Sequence, residues 1–419
     1  MTEVHPPVSN ASGVRGWSSR MDQCLALCGY CGTLLSQPSD SRSVIFVKFS
    51  PEQDDALKAV DRWLKAPGPQ VFRLFGYAGT GKTMLAQHFA ESVDGDVLFA
   101  AFTGKAAQVM RSRGCENAKT IHSLIYRPRG EEVVEDEESG KTQVNPTFSL
   151  NRSSPVSKAK LIIVDECSMV DEALGRDLLS FGTPVLVLGD PGQLPPISGG
   201  GFFTDHEPDA MLTEVHRQAR DNPIIELAQI VREGGTLDYG SYGDSKVIGK
   251  SDIDSDMVLQ ADQVLLGINR TRKRYNQRIR TLKGFDGLLP ASGDKLVCLR
   301  NNSEKGLLNG SLWQVMSVGL GKAKALSMMV RSEDEGPLGN IVKIRVLKAL
   351  FESAEEVPWT VRRNSDEFDY GYALTVHKAQ GSQWDDVVLF DESFAFKDTR
   401  ERWLYTAITR AAERITIVR

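Results

Sequence analysis

With 419 residues, the chain is long enough for two or three domains with buried cores. A quarter of the residues are charged and the net charge is −5, which argues against a purely electrostatic nucleic-acid coat but leaves room for one local basic channel. No apolar run approaches a bilayer span and the N-terminus shows no signal core, so a cytoplasmic location without membrane attachment is expected.

Residues 1–44 are rich in Ser, Gly and Pro and lack periodicity, and are expected to form a weakly ordered extension. Within them Cys24, Cys28 and Cys31 fall as C-x₃-C-x₂-C, a spacing compatible with zinc or an iron–sulfur cluster. The only obvious fourth ligand nearby is His5, so reduced, non-ligating thiols are expected instead. Cys115, Cys167 and Cys298 are scattered and read as small buried hydrophobes.

From Ser50 the pattern changes. Ser50-Pro51-Glu52-Gln53 is a helix start with Pro at the first helical position, and Ala56, Leu57, Val60, Trp63 and Leu64 follow at helical spacing. The apolar run Val71–Phe75 leads into Gly76-Tyr77-Ala78-Gly79-Thr80-Gly81-Lys82-Thr83, a complete G-x-x-x-x-G-K-T phosphate loop, and then into the helical Met84–Phe89. Strand, loop and helix in that order are the context the pattern requires. Glycines let backbone N–H groups close around a phosphate at a helix N-terminus. Lys82 would reach the β- and γ-phosphates, and the Thr83 hydroxyl would sit on Mg²⁺.

Buried-strand runs continue at 96–102, Leu161–Val164 and Val185–Leu188, and their alternation with helices implies a parallel sheet covered on both faces. Between them, about 124–158 reads as an inserted hairpin or loop, with an acidic run from Glu131 to Glu138; Phe148 in this insertion is a candidate wedge or stacking residue, with a core role the stronger expectation. Asp165-Glu166 closes the Leu161–Val164 run at a strand end, where open α/β sheets bind ligands. Asp165 suits the Mg²⁺ shell and Glu166 suits polarising a water. Gly189-Asp190-Pro191-Gly192-Gln193-Leu194-Pro195-Pro196 is a tightly restricted loop that could hold the Gln193 amide as a γ-phosphate sensor.

Further on, Arg270, Arg272, Lys273, Arg274, Arg278, Arg280 and Lys283 form the densest basic stretch, read either as a solvated helix face or as a nucleic-acid track. A second interruption at about 290–362 carries Gly-Asp and Asn-Gly turns and short β-rich runs, as in a small barrel or meander. Alternation resumes at Tyr372–Val376, Asp386–Phe390 and Arg414–Val418. Thr375, His377, Lys378 and Ser382 offer donors to phosphates from a turn at a strand end, and Leu404–Ala411 reads as a helix presenting Arg410.

The ordered set from about residue 48 onward resembles superfamily 1 helicases of the RecD/Dda-like branch. The resemblance implies an α/β fold of two tandem RecA-like P-loop domains. One would span 45–217 with the hairpin-like insertion, the other 218–419 with a small SH3-like barrel as its insertion. It implies that Gln53 reads adenine, and that Thr103 and Lys105 in Phe102–Ala107, Thr120 and His122 in Thr120–Ser123, and the Thr375–Ser382 group contact nucleic acid. Phe102 stands where many members carry Pro. It also implies that Arg217, in Leu212–Gln218, and Arg410 reach the γ-phosphate. The catalytic set expected is therefore Lys82, Glu166, Gln193, Arg217 and Arg410, with Gln53, Gly76, Ala78, Gly79, Thr80, Gly81, Lys82 and Thr83 on ATP and Thr83 and Asp165 on Mg²⁺. The implied activity is ATP-dependent, 5′ to 3′ DNA unwinding by a monomer on single strands and tailed duplexes, alongside replication or recombination proteins. A translocase that strips proteins or remodels forks would carry the same residues, and a non-motor nucleotide switch is the alternative from another class.

Overall fold

The computed structural model describes residues 49–66, 68–136, 141–196, 200–214, 222–319, 324–352 and 357–419. The cysteine cluster of the N-terminal extension, Arg217, and residues 137–140 of the acidic run lie outside the described residues. Ser50–Arg419 is a single compact unit.

The first half is organised by strands β1 (Val71–Gly76), β2 (Val97–Ala101), β3 (Lys119–Thr120), β4 (Tyr126–Asp136), β5 (Lys141–Leu150), β6 (Leu161–Asp165), β7 (Val185–Gly189) and β8 (Ala210–Leu212). Six of them form a sheet in the order β3-β2-β6-β7-β1-β8, parallel at every pairing. β6 and β7 are buried at every position, as continuous apolar runs in a sheet covered on both faces should be. The order has a direct consequence for chemistry. β6, β7 and β1 are neighbours, so the loops leaving their carboxyl ends meet at one edge, although β2 to β5 separate β1 from β6 along the chain.

β4 and β5 form a separate antiparallel hairpin, paired from Tyr126 with Leu150 to Asp136 with Lys141. The register shifts between Pro128 and Gly130, where proline cannot donate to the ladder.

The second half contains β9 (Gly240–Tyr242), β10 (Ser245–Ile248), β11 (Gln263–Leu266), β12 (Lys295–Cys298), β13 (Leu312–Gly319), β14 (Ala325–Ser332), β15 (Ile341–Leu347), β16 (Phe368–Tyr370), β17 (Ala373–Thr375), β18 (Trp384–Phe390) and β19 (Ala411–Val418). A sheet in the order β17-β11-β18-β19-β10-β9 is parallel except at its β10–β9 edge. An all-antiparallel sheet, β15-β14-β13-β12-β16, interrupts it. Its last strand, β16, lies beyond the expected limit near 362; three residues are too few to show a strand period.

The basic stretch folds as the helix Asn269–Leu282, but its arginines divide in a way neither expectation anticipated. Arg280 is fully buried, pairs with Asp294 (Nε to Oδ1 2.9 Å, Nη2 to Oδ2 2.9 Å) and donates to the Gly287 and Leu289 carbonyls. Tyr372 donates its hydroxyl to the same carboxylate, at 2.9 Å. Arg272, also buried, pairs with Asp369 at 2.8 Å. These two guanidiniums fasten the helix to the antiparallel sheet. Cys115, Cys167 and Cys298 are free and buried. No described helix is long and apolar enough to cross a membrane.

Candidate nucleotide and nucleic-acid site

β1 ends in Gly76, and five residues separate it from the helix Lys82–Ser92. Gly79 (φ 79°) and Gly81 (φ 83°) take left-handed conformations between them, which a Cβ would oppose. Gly81 is the N-cap and no side chain caps this helix, so its first-turn N–H groups are open to an anion. The Lys82 ammonium is held by the loop's own carbonyls, Gly76 O at 2.5 Å and Tyr77 O at 2.9 Å. Thr83 donates its hydroxyl to Asp165 Oδ2 at 2.9 Å, joining the ends of β1 and β6.

Gln53 approaches from the helix Pro51–Lys65. Ser50 and Gln53 form a reciprocal capping box, and the buried Gln53 amide donates to Thr80 O at 3.0 Å. Glu52, one residue earlier, accepts from the Thr213 and Glu214 amides, both at 2.7 Å, and from the Thr213 hydroxyl at 2.6 Å. Burial alone would raise the Glu52 pKa, but these hydrogen bonds outweigh it and lower it.

Glu166 stands just after β6 with φ 53°, a left-handed conformation that costs energy in a residue with a Cβ. Its pKa is raised, first by burial; Arg410 and Lys82 pull it down, while Asp165 and Asp190 push it up. Gln193, in the loop after β7, is buried, and its Oε1 has no protein partner among the described residues. An uncapped helix start, a lysine, a Thr–Asp pair and a buried unpaired amide oxygen together fit a nucleoside triphosphate with a divalent cation.

Arg410 comes from the other sheet. The helix Arg400–Ile408 stops two residues short of it, so Arg410 sits in the turn before β19 and not on the helix as expected. Its guanidinium is buried and donates to Thr406 O (3.0 Å), Ser382 O (3.3 Å) and the Thr409 hydroxyl (3.1 Å). An arginine closing on the last carbonyls of a helix satisfies acceptors the helix cannot.

The expected nucleic-acid contacts share one local design. Thr120 and Thr375 are the last residues of β3 and β17, Thr103 lies two residues after β2, and each caps the next helix, accepting from Ser123 N at 3.2 Å, Lys378 N at 3.4 Å and Ala106 N at 3.0 Å. A hydroxyl that accepts a cap bond retains its own O–H for a phosphate. Gly381 (φ 78°) brings two of these segments together: a Cβ there would lie 3.0 Å from Ala106 Cβ and 3.1 Å from Thr103 Oγ1. Ser382 is buried.

Lys105 is not a free cation. It pairs with Asp334 of the antiparallel sheet region at 2.7 Å, with both side chains largely shielded. His122 lies between Tyr126 and Phe148, with ring centroids 4.7 and 4.5 Å away. Burial lowers the pKa of His122 and of His377, which favours the neutral ring, an N–H donor without a charge. Lys378 is exposed; partial burial and then Arg272 lower its pKa. Phe148 is 44% exposed, so it is not a core residue, and it pairs with Pro128 near the hairpin's base.

A family profile described as an AAA domain matches residues 48–251, and one described as a UvrD-like helicase C-terminal domain matches 370–418. The ATP-dependent RecD2 DNA helicase of Deinococcus radiodurans is 30% identical over 380 residues, covering 83% of this chain and 46% of the relative. The ATP-dependent DNA helicase dda of Enterobacteria phage T4 is 31% identical over 174 residues, covering 38% of this chain and 37% of that one. The chain belongs to the superfamily 1 helicases, in the RecD/Dda-like branch. It spans less than half the length of both relatives. A solved structure of a Bacteroides Pif1 helicase in complex with ADP-AlF3 and single-stranded DNA shares its fold, with a TM-score of 0.53 at 18% identity, covering 88% of this chain and 92% of that one. Within this superfamily 1 chain, sequence reasoning missed Glu52, Asp190 and Tyr405, whose hydrogen bonds join segments of the candidate site. Asp190 and Tyr405 stand inside stretches already singled out, but only the folded chain shows that their side chains meet, at 2.7 Å.

Proposed function

We propose that the chain is an ATP-dependent helicase that moves 5′ to 3′ along single-stranded DNA and opens a tailed duplex as a monomer, requires Mg²⁺, and serves replication, recombination or repair. The observation that supports it best is a pair of hydrogen bonds between the halves at the phosphate loop: the Tyr405 hydroxyl, on the helix before β19, accepts from Ala78 N at 3.0 Å and donates to Asp190 Oδ2 at 2.7 Å. Arg410, buried in the turn after the same helix, pulls the Glu166 pKa down against the effect of burial. A nucleotide site completed by both sheets is what converts hydrolysis into relative movement of the two.

Bound Mg²⁺-ATP supplies a phosphoanhydride whose cleavage drives the cycle. The chain's own residues prepare for it. Thr83 and Asp165, hydrogen-bonded to each other, would hold the cation, Lys82 and Arg410 would bring positive charge from opposite sheets, and Glu166 would take a proton from water. Arg217 is assigned to the γ-phosphate by family resemblance. The Thr103, Thr120 and Thr375 hydroxyls, with the Gly381–Ser382 turn, would grip phosphates on the two sheets. Breaking one base-pair step costs about 1.4 kcal/mol of stacking, small enough for one nucleotide cycle.

The test is ATP hydrolysis with and without single-stranded DNA, followed by unwinding of 5′-tailed and 3′-tailed duplexes. Strand-stimulated hydrolysis and unwinding of the 5′-tailed substrate are expected. Lys82→Ala should abolish both while the protein still melts cooperatively. Hydrolysis indifferent to added strand would refute the proposal.

A further inference from the structure

Helix Arg400–Ile408 touches the first sheet through two consecutive residues. Tyr405 is 2% exposed. Its hydroxyl accepts from Ala78 N, in the phosphate loop, at 3.0 Å and donates to Asp190 Oδ2 at 2.7 Å. Asp190 spends its other oxygen on Gly192 N at 2.9 Å, and its carbonyl accepts from Gln193 N at 3.1 Å, so the same carboxylate shapes the loop that holds Gln193. Thr406 Oγ1 accepts from Leu194 N at 2.9 Å, and Gln380 donates to Leu194 O at 3.1 Å. The second sheet's elements thus bond both polar groups of the residue after Gln193. Thr406 then passes the connection on, because its carbonyl takes Arg410 Nε at 3.0 Å.

We propose that Tyr405 is a positioning residue that couples the phosphate loop and the Gln193 loop to Arg410. One phenol oxygen joins the loop after β1 to the loop after β7, and the next residue seats the arginine. A shift of either loop is carried to Arg410 through a single rigid helical turn. The ring does not act by filling space alone: a buried hydroxyl with both a donor and an acceptor partner in the opposite half of the molecule has a directional role that phenylalanine would lack. Asp190 without Tyr405 would leave a buried carboxylate oxygen unpaired, and the Ala78 amide would lose its partner. The inference rests on the proposed strand-stimulated hydrolysis.

The test is Tyr405→Phe, which removes one oxygen and keeps the ring. Strand-stimulated kcat should fall about tenfold, as for loss of one hydrogen bond to a charged group. The ATP KM should stay within about twofold, because the group acts on the arranged complex and not on binding. Tyr405→Phe combined with Arg410→Ala should be no slower than Arg410→Ala alone, since residues acting as one unit are not additive. Unchanged kcat in Tyr405→Phe, or a loss that multiplies with that of Arg410→Ala, overturns the coupling. Should Tyr405→Phe fail to fold, Asp190→Ala cuts the same bond from the other side, and the same kcat loss at steady KM is expected there. Unaltered turnover in that variant also overturns it. A parent protein without strand-stimulated hydrolysis sinks the functional reading, and this inference with it; a stimulated parent with an unaltered Tyr405→Phe sinks the coupling alone.

Discussion

The nucleotide cleft and the nucleic-acid track are built on different principles. In the cleft, strand order does the work: β6, β7 and β1 are adjacent, so Asp165, Glu166, Gln193 and the phosphate loop share one edge with little help from long side chains. Along the track, short polar residues repeat a local device, a threonine at or just past a strand end that caps a helix, at Thr103, Thr120 and Thr375. The cleft is buried and charged, and holds its groups in strained or desolvated states, as the left-handed Glu166 illustrates. The track is partly buried, at Thr375 and Ser382, and its cation Lys105 is already engaged by Asp334. Sites for chemistry are preorganised by topology, whereas sites for a mobile polymer stay exchangeable.

The largest expected contrast comes from Glu166→Gln. Loss of a general base should lower strand-stimulated turnover about 10²–10⁴-fold, with nucleotide binding retained. Stability should move the other way. Burial raises the folded pKa of Glu166, so the stability linked to its protonation is complete below the pKa of an ordinary glutamate and is lost as pH rises through the raised value. At neutral pH the neutral glutamine variant should therefore melt above the parent, and the gap should close in acid. A variant that melts lower at neutral pH would show that the cleft does not hold this carboxylate at a cost.

Next is the basic helix, where burial decides the outcome. Asp294→Ala should destabilise the fold by about 3–5 kcal/mol, because it strands the Arg280 guanidinium in the interior. Arg270→Ala, on an exposed position of the same helix, should stay within about 0.5 kcal/mol. Denaturant titration of the two variants separates these readings, and equal effects would show that the burial difference carries no energy.

Smaller effects probe the track. Phe148→Ala should weaken single-strand binding by about 1–3 kcal/mol if bases stack beside His122, with the melting temperature little changed because Phe148 is exposed. Binding isotherms that do not move would assign Phe148 to the hairpin alone. The mildest change is Asp334→Asn. Releasing Lys105 for a phosphate should steepen the dependence of log K on log salt by about 0.7 for a single strand, and Lys105→Ala should leave the slope at the parent value or below. Fluorescence anisotropy across a salt series measures both, and a slope unchanged in Asp334→Asn would remove Lys105 from the track.

Much of the cleft was legible in the amino-acid order because its signals are local. The phosphate loop declares itself through glycines at a strand-to-helix junction, Gln53 through the family resemblance of Ser50–Gln53, and β6 and β7 through uninterrupted apolar runs that a doubly covered parallel sheet accommodates. Such features follow from sterics and burial within a few residues of chain. Other assignments needed the folded molecule. Which arginines of the helix Asn269–Leu282 face an interior carboxylate, that Lys105 finds Asp334, that Arg410 belongs to a turn and not a helix, and that Tyr405 spans the loops after β1 and β7 all depend on partners far away in sequence. A charged or polar side chain takes its role from the group that meets it, and for these residues that group is chosen by the packing of two sheets, not by the neighbours along the chain.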